Sequence, residues 1–125
     1  MSTKNKQIVE KINDSFAKGN TEGFLENCAD NVVWRMIGDK TFTGKNAIRE
    51  FMASMEGAEP PKFTVDNTIA EGDSVVSYGD MTMTEKEKTT PYSYCDVYRF
   101  SGDKIVDLSS YVVKTAEQSK QAGTA

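Results

Sequence analysis

The sequence predicts an α+β fold in which three helices occupy the N-terminal half and about six β-strands build a sheet against them. In the N-terminal half, apolar residues recur at helical spacing, whereas from residue 63 onward apolar and polar residues largely alternate with a period of two. The clearest segment is residues 92–113, where two runs rich in aromatic and β-branched residues flank a short turn that contains Gly102. This pattern is typical of a β-hairpin.

Two helices and a strand are predicted at the start of the chain. Residues 6–18 carry an apolar stripe at helical spacing and end at Gly19, and either Asn20 or Thr21 can cap a second, shorter helix that ends near residue 30. Residues 31–37 then alternate as a strand, with Trp34 and Met36 on one face and Arg35 on the other.

The rest of the chain continues as a short strand, a third helix and a run of longer strands. Residues 41–43 predict the short strand, residues 45–55 the helix, and residues 56–61, with one glycine and two prolines, a loop. Strands are predicted at residues 63–70 and 74–84, with Gly79 as a bulge or bend and residues 85–88 as a solvated loop before the hairpin. A strongly curved sheet covered by the three helices would bury all these apolar faces and leave a ligand cavity at its open mouth.

Length and composition place the chain among ordinary globular proteins. Its 125 residues predict a single domain over residues 1–125, with residues 1–5 and 116–125 as frayed tails. A net charge of −4 without a basic cluster disfavours nucleic acid as a partner. No apolar run approaches the roughly 20 residues of a membrane helix, and no signal-peptide core follows the first residues. We therefore expect a cytoplasmic protein that does not bind membranes.

The absence of histidine narrows the chemistry that the chain can perform. It removes Ser-His and Cys-His nucleophile pairs and the commonest ligand for zinc or iron, so we predict no metal and no cofactor. Cys28 and Cys95 are far apart in the sequence and are expected to be free thiols. Acid–base chemistry near neutral pH would depend on a perturbed carboxylate, a tyrosine, a lysine or a bound water.

Asp96 is the candidate for that chemistry because it stands in the middle of an aromatic row. Strand alternation in the hairpin places it on the same face as Tyr92, Tyr94, Tyr98 and Phe100. A buried carboxyl must be paired or neutralised. Asp96 is therefore either a structural group, bonded to a tyrosine hydroxyl such as that of Tyr78 or to the backbone, or a group that performs acid–base chemistry.

Several segments together resemble the cone-shaped α+β family of nuclear transport factor 2, in particular its ketosteroid isomerase-like and SnoaL-like polyketide cyclase-like branches. The resemblance lies in residues 17–20 (Ala-Lys-Gly-Asn), 28–34 (Cys-Ala-Asp-Asn-Val-Val-Trp), 42–51 and 96–105, the last of which begins Asp-Val-Tyr-Arg-Phe. It implies a curved antiparallel or mixed sheet, and a homodimer formed through the exposed sheet face. Arg99, Val97, Ser109 and Tyr111 are the expected contributors to that interface.

The resemblance also implies which residues would act, and it argues against steroid isomerisation. Asp96 matches the protonated aspartic acid of the isomerases, but Met36 occupies the position of their proton-shuttling aspartate and Ile12 that of their helix-one tyrosine. The polyketide cyclases are assigned a single aspartate in this region, which implies a cofactor-free isomerase, cyclase or lyase in which Asp96 is the general acid or base. The alternative is a ligand-binding or dimerisation module that has lost the catalytic set.

The predicted site accordingly surrounds Asp96 and accommodates a small apolar organic ligand. Tyr78 and Tyr94 are the expected polar assistants, and the expected walls are Trp34, Met36, Phe51, Met55, Tyr98, Leu108, Ser110 and Val112. An epoxide-hydrolase site would instead require an Asp-Arg-Asp cluster, for which Asp107 and Arg35 are available. Alternation places Arg35 on the face opposite Trp34, so this reading is disfavoured.

Overall fold

A computed structural model describes residues 2–55 and 61–115 of the chain. The helices are α1 (Ser2–Ala17), α2 (Thr21–Leu25) and α3 (Lys45–Ala53). The strands are β1 (Cys28–Met36), β2 (Thr41–Thr43), β3 (Lys62–Glu71), β4 (Ser74–Glu85), β5 (Lys88–Ser101) and β6 (Lys104–Lys114). Within the described residues, every helix is too short or too polar to cross a bilayer.

The strands form one six-stranded sheet in the order β2-β1-β6-β5-β4-β3. Five neighbouring pairs make up the sheet, and four of them are antiparallel, while β1 and β6 run parallel. The predicted α+β class with a mixed sheet of six strands and three helices in the N-terminal half is therefore confirmed.

The hydrophobic core lies between the helices and one face of the sheet, which we call the inner face. Its members come from α1, α2, α3 and alternate strand positions, among them Val9, Ile12, Phe24, Ile48, Val75, Tyr98, Phe100, Ile105 and Leu108. Trp34 joins this core at the centre of an aromatic cluster with Phe16, Phe24, Phe42 and Phe51, whose ring centroids lie 5.7–6.5 Å from the indole. Such contacts stabilise beyond the area they bury.

The ends of the helices differ from the sequence prediction, and α2 ends at Leu25 rather than near residue 30. The helix α1 begins at Ser2 rather than near residue 6, and Asn5 within it is buried. The helix α3 ends at Ala53, and Met55, which was predicted inside it, follows the C-cap Ser54. Asn20 caps α2, because its side-chain oxygen accepts the backbone N–H of Gly23 at 3.0 Å. The predicted frayed tail at residues 116–125 lies outside the described residues.

The connection between β4 and β5 is a tight turn rather than the predicted loop over residues 85–88. Only Lys86 and Glu87 lie between the strands, and both have positive φ angles of 51° and 70°. Positive φ at both central residues is the geometry of a type I′ hairpin turn, whose twist matches that of the strands. The turn fixes a continuous register from Glu85↔Lys88 to Ser74↔Arg99, which determines the residues that face Asp96.

A bulge in β3 bends the sheet next to Gly79. The β3–β4 register shifts between Val65 and Asn67, where Gly79 is the partner of Val65. A Cβ atom at Gly79 would collide with the carbonyl oxygen of Thr64 and lie 3.1 Å from the amide nitrogen of Asp66. The irregularity predicted at Gly79 therefore lies in the neighbouring strand β3, and it depends on the missing side chain of Gly79 because the backbone of Thr64 and Asp66 occupies that space.

Candidate functional site

Asp96 lies on the inner face of β5 between two serines. It pairs directly with Ser77 of β4 on one side and with Ser110 of β6 on the other. Directly paired residues in an antiparallel sheet share a face, and their Cβ atoms lie about 4.5–5.5 Å apart. Asp96 itself is half-buried, whereas both serines are buried. Strand alternation in the hairpin therefore places Asp96 on the correct face of the sheet. It did not indicate the two polar serines on the neighbouring strands.

Ser110 is the cross-strand neighbour of Asp96 and is itself bonded to Trp34. The indole Nε1 donates to Ser110 Oγ at 2.9 Å, so the hydroxyl proton of Ser110 remains available to the side chain of Asp96. Loss of hydration raises the pKa of Asp96 from 3.8 to about 6, and the bond from Ser110 acts in the opposite direction because it favours the carboxylate. Asp96 can thus gain or lose a proton near neutral pH.

The serine on the other side of Asp96 belongs to a different hydrogen-bond network. Asn13 of α1 donates from Nδ2 to Ser77 Oγ at 3.1 Å. The hydroxyl of Tyr94 donates to the backbone carbonyl of Thr64 at 2.9 Å, and the hydroxyl of Ser77 is near enough to lower the pKa of Tyr94. Burial is the largest of the effects that raise the pKa of Tyr94 to about 12. Tyr94 was predicted as a polar assistant of Asp96, but its hydroxyl donates its proton to the backbone carbonyl of Thr64.

Tyr98 lies two residues beyond Asp96 and is completely buried. Its hydroxyl has no hydrogen-bond partner among the described residues. Burial raises the pKa of Tyr98 well above its ordinary value, and the nearby Asp96 adds to that rise. The neutral phenol is therefore the stable form, and it is inaccessible from the surface.

Two of the predicted site residues lie elsewhere. Tyr78 pairs with Cys95 on the opposite face of the sheet, which we call the outer face, because the continuous β4–β5 register brings Ser77 rather than Tyr78 beside Asp96. Met55 follows the end of α3 and is 48% exposed, so it is not part of the packed wall. Both corrections follow from strand register and helix length, which residue type alone does not determine.

The other predicted wall residues do lie on the inner face or against it. Met36 pairs with Ser110, Leu108 is buried beside Trp34, and Phe51 stacks on Phe42 with centroids 4.6 Å apart. Farther along the strands the inner face becomes exposed to solvent. The exposed fractions of Val65, Met83 and Val112 are 41%, 37% and 43%. Half-buried Phe63, Met81 and Tyr92 lie among them. An apolar surface open to solvent thus adjoins Asp96.

A separate cleft of about 520 Å³ is formed by residues of β3, β4 and β5 together with Thr115. It is lined by Lys62, Phe63, Thr64, Asp80, Met81, Thr82, Pro91, Tyr92, Ser93 and Thr115. Asp96 is not among these residues. The cleft shares Phe63, Met81 and Tyr92 with the exposed inner surface, so it borders the candidate site without containing the carboxyl.

The described part of the chain offers no set of three Cys, Asp or Glu side chains that could hold a metal ion. Arg35 pairs with Asp107 on the outer face, and Arg99 Nη2 lies 3.6 Å from the other oxygen of the same carboxylate. An Asp-Arg-Asp cluster around Asp96 is thus not formed, because Asp107 and Arg35 are on the other side of the sheet. The arrangement supports one-group acid–base chemistry by Asp96 next to an apolar surface.

The comparisons with known proteins agree with this fold. The family model of the SnoaL-like domain matches residues 9–108. The chain belongs to the SnoaL-like domain family. No protein of curated function matches the sequence. The family match covers the core residues from Val9 to Leu108 together with Asp96, and it ends within β6, before Ser110.

Three solved structures illustrate the shared fold. A nuclear-transport-factor-2-like protein of unknown function from Cytophaga hutchinsonii is 27% identical, with a TM-score of 0.71 over 86% of this chain and 98% of its own. A LEH-like epoxide hydrolase from M. tuberculosis is 14% identical, with a TM-score of 0.80 over 89% and 84%. A protein assigned as a SnoaL-like polyketide cyclase from Jannaschia sp. CCS1 is also 14% identical, with a TM-score of 0.79 over 89% and 86%. The last two likenesses show the fold alone.

Sequence reasoning did not find the contribution of Asn13 and Ser77. Asn13 follows Ile12 on the core side of α1, and Ser77 alternates with Val75 on β4, so a buried polar residue was visible at each position. Pairing Ser77 with Asp96, however, requires the two-residue turn at Lys86 and Glu87, which lacks the Asn-Gly or Asp-Gly sequence typical of such turns.

Proposed function

We propose that the exposed part of the inner face binds a small apolar ligand that carries a carbonyl group, and that Asp96 exchanges a proton with this ligand as general acid or base. The observation that carries the proposal is the position of a half-buried carboxyl, whose pKa is raised to about 6, beside an exposed apolar surface. A catalytic group is most effective when its pKa lies near the working pH.

The apolar surface accounts for the ligand class. Val65, Met83 and Val112 are exposed on the same side of the sheet as Asp96, and Tyr92 and Phe63 offer aromatic faces beside them. Contiguous apolar side chains that converge on a few polar groups are the usual composition of a small-molecule site. A single carboxyl can accept a proton and return it. A ligand with a polarised C–H bond next to a carbonyl group is a suitable substrate for this proton exchange.

The reaction supported best is proton transfer next to a carbonyl, as in an isomerisation, a cyclisation or an elimination. The carboxylate would take a proton from carbon, and the resulting carboxylic acid would return it to carbon or oxygen. Met36 rather than a second acid lies beside Ser110, so Asp96 would perform both steps. No cofactor is needed for such a proton transfer.

A non-catalytic ligand-binding module is the second candidate, and the hydrogen-bond network favours it. Tyr94 donates to the Thr64 carbonyl at 2.9 Å, and the hydroxyl of Ser110 favours the carboxylate of Asp96. A carboxyl held in this way satisfies its hydrogen-bonding requirement without a substrate. The two candidates differ in whether a bound carbonyl compound exchanges protons with Asp96.

Exchange of the α-protons of 2-tetralone in D₂O, followed by NMR, separates the two. The wild-type protein is expected to accelerate the exchange near neutral pH, and Asp96→Asn to lose at least tenfold of that acceleration while still binding the ketone. Asp80→Asn, which alters an outer-face carboxyl, is the matched control and should exchange like the wild type. Binding to the inner face without accelerated exchange would support the ligand-binding module, and no binding there would reject both candidates.

We also propose that a second copy of this chain covers the outer face. Ile69, Tyr78, Tyr111 and Val113 are large apolar side chains exposed there. An apolar patch of this kind on a sheet is typical of an interface between subunits. Val97 and Ser109 lie in the middle of the same face, and Arg99 at one end of it is bonded to Asp107.

A further inference from the structure

We propose that Trp34 and Ser110 are positioning residues for Asp96, forming a one-way hydrogen-bond chain that directs the Asp96 proton to the carboxyl oxygen away from Ser110. This inference deepens the proposed function, since it concerns the same carboxyl, but its test does not require a ligand. It rests on the direction of each hydrogen bond, on the packing of the indole and on the contrast between the two serines that flank Asp96.

The direction of the chain follows from the donors available. An indole N–H can only donate, so Trp34 Nε1 uses a lone pair of Ser110 Oγ at 2.9 Å. The hydroxyl of Ser110 has one proton, which is then directed to Asp96, its cross-strand partner. Ser110 therefore acts as a donor to Asp96 rather than as an acceptor of the Asp96 proton. When Asp96 is protonated, the proton must reside on the other carboxyl oxygen.

The aromatic cluster keeps the indole in place. Phe16, Phe24, Phe42 and Phe51 surround the Trp34 ring with centroids 5.7–6.5 Å away, and Trp34 is only 8% exposed. Close packing of this kind restricts rotamer changes. Ser110 is joined to β1 as well, because its carbonyl accepts the backbone N–H of Ile37 at 3.0 Å. Neither Trp34 nor Ser110 can therefore easily rotate away from Asp96.

The second flanking serine provides an internal comparison. Ser77 and Ser110 flank Asp96 on the same face of the sheet, but the oxygen of Ser77 accepts from Asn13 and its proton is directed to Tyr94. The two serines thus share a face and differ in their hydrogen-bond partners. A role in orienting Asp96 is therefore assigned to Ser110 alone.

The other groups that face Asp96 do not titrate between pH 4 and 8. Tyr94 and Tyr98 share its strand, and Cys28 of β1 lies near Tyr98. Burial raises the pKa of Tyr94 and of Cys28 to about 12 and raises that of Tyr98 well above its ordinary value. The packed elements α1, β4 and β6 contribute the amide and hydroxyls of Asn13, Ser77 and Ser110, which carry no charge. A titration in this pH range at the site would thus report Asp96.

The chain contains one tryptophan and no histidine, so its single indole N–H signal can be followed by NMR without ambiguity. In the ligand-free wild-type protein, this signal should shift with pH together with the Asp96 carboxyl carbon, at one shared midpoint. Ser110→Ala should abolish the response of the indole and raise the pKa of Asp96 by about 1, because a donor to the charged form is lost. Ser110→Thr, which keeps the hydroxyl, should restore both.

The controls distinguish positioning from packing. Ser77→Ala should leave the Asp96 midpoint within about 0.3 of the wild type, since Ser77 donates elsewhere. Trp34→Phe should raise the midpoint less than Ser110→Ala does, and if it fails to fold, the serine variants still decide. An indole signal that ignores the Asp96 titration, or equal shifts for the two serine-to-alanine variants, would overturn the proposal. Failure of 2-tetralone to bind would reject the proposed function without altering these midpoints.

Discussion

The Tyr94 hydroxyl and the Thr64 carbonyl are joined by a 2.9 Å hydrogen bond that crosses β4 at Gly79. The β3 bulge brings the Thr64 carbonyl over Gly79, and the absent side chain leaves room for it. The bond gives the buried phenol an acceptor for its proton. Because its proton is donated to Thr64, Tyr94 cannot donate a hydrogen bond to a ligand. The sheet geometry at Gly79 therefore influences the chemistry at Asp96, which is two residues from Tyr94.

Gly79→Ala is therefore expected to destabilise the protein more than an ordinary glycine substitution. Its Cβ would meet backbone atoms of Thr64 and Asp66, which cannot move without distorting the bulge, and such overpacking costs about 1–3 kcal/mol or more. Gly72→Ala is the control, because Gly72 has a positive φ of 58° and open space around it, and should cost only about 1 kcal/mol. Urea unfolding at neutral pH measures both. Equal losses for the two variants would show that β3 accommodates the added methyl group.

The stability of the protein should depend on pH through Asp96. Burial raises its pKa from 3.8 in the unfolded chain to about 6 in the folded state, so the folded protein binds the proton more tightly. The stabilisation from this group is present below about pH 4 and is lost as the pH rises to about 6, by at most about 3 kcal/mol given the partial exposure of the carboxyl.

Asp96→Asn isolates this contribution. The free energy of unfolding of the wild type minus that of the variant should fall between pH 4 and pH 6 and stay level above pH 7, when both are measured by urea unfolding. Asp39→Asn at the exposed β1–β2 turn removes a carboxylate without altering the inner face and serves as the control. A difference between wild type and Asp96→Asn that rises with pH would mean that the carboxylate, not the acid, is the form the fold prefers.

More of the fold than of the site could be predicted, because the fold depends on sequence patterns that can be recognised without knowledge of atomic contacts. Helical spacing around Ile12 and strand alternation around Asp96 are enough to place those residues on the core side. The neighbours of Asp96 depend on register, and register depends on the turn at Lys86 and Glu87, two residues not typical of it. An error of one residue in the β4–β5 register would place Tyr78 instead of Ser77 beside Asp96, since successive strand residues point to opposite faces.

Long-range hydrogen bonds were beyond sequence reasoning for a related reason. Trp34 and Ser110 are 76 positions apart, and Asn13 and Ser77 are 64 apart. Their meeting depends on the parallel pairing of β1 with β6 and on the packing of α1 against β4. Each residue has an ordinary role as a core aromatic or a strand polar residue, so nothing local to either sequence segment indicates its partner.

Tyr98→Phe tests the buried hydroxyl beside the candidate site. The hydroxyl has no hydrogen-bond partner among the described residues, so removing it should relieve a desolvation cost. We expect the variant to be as stable as the wild type, or more stable by about 1 kcal/mol, in thermal and urea unfolding. Tyr94→Phe, which breaks the bond to Thr64, should lose about 1 kcal/mol and serves as the contrast. A comparable loss for Tyr98→Phe would reveal a hydrogen bond at that hydroxyl.

The outer-face dimer makes a prediction that can be checked by mass. Sedimentation velocity at micromolar concentration should give about twice the chain mass of 13.8 kDa for the wild type. Tyr111→Glu places a charge among exposed apolar residues on the outer face and should shift the protein to the monomer, because a desolvated, unpaired carboxylate is unfavourable in an interface. Ser101→Glu adds the same charge at the β5–β6 turn and should leave the mass unchanged. A monomeric wild type, or a Tyr111→Glu variant that remains dimeric, would reject the outer face as the interface.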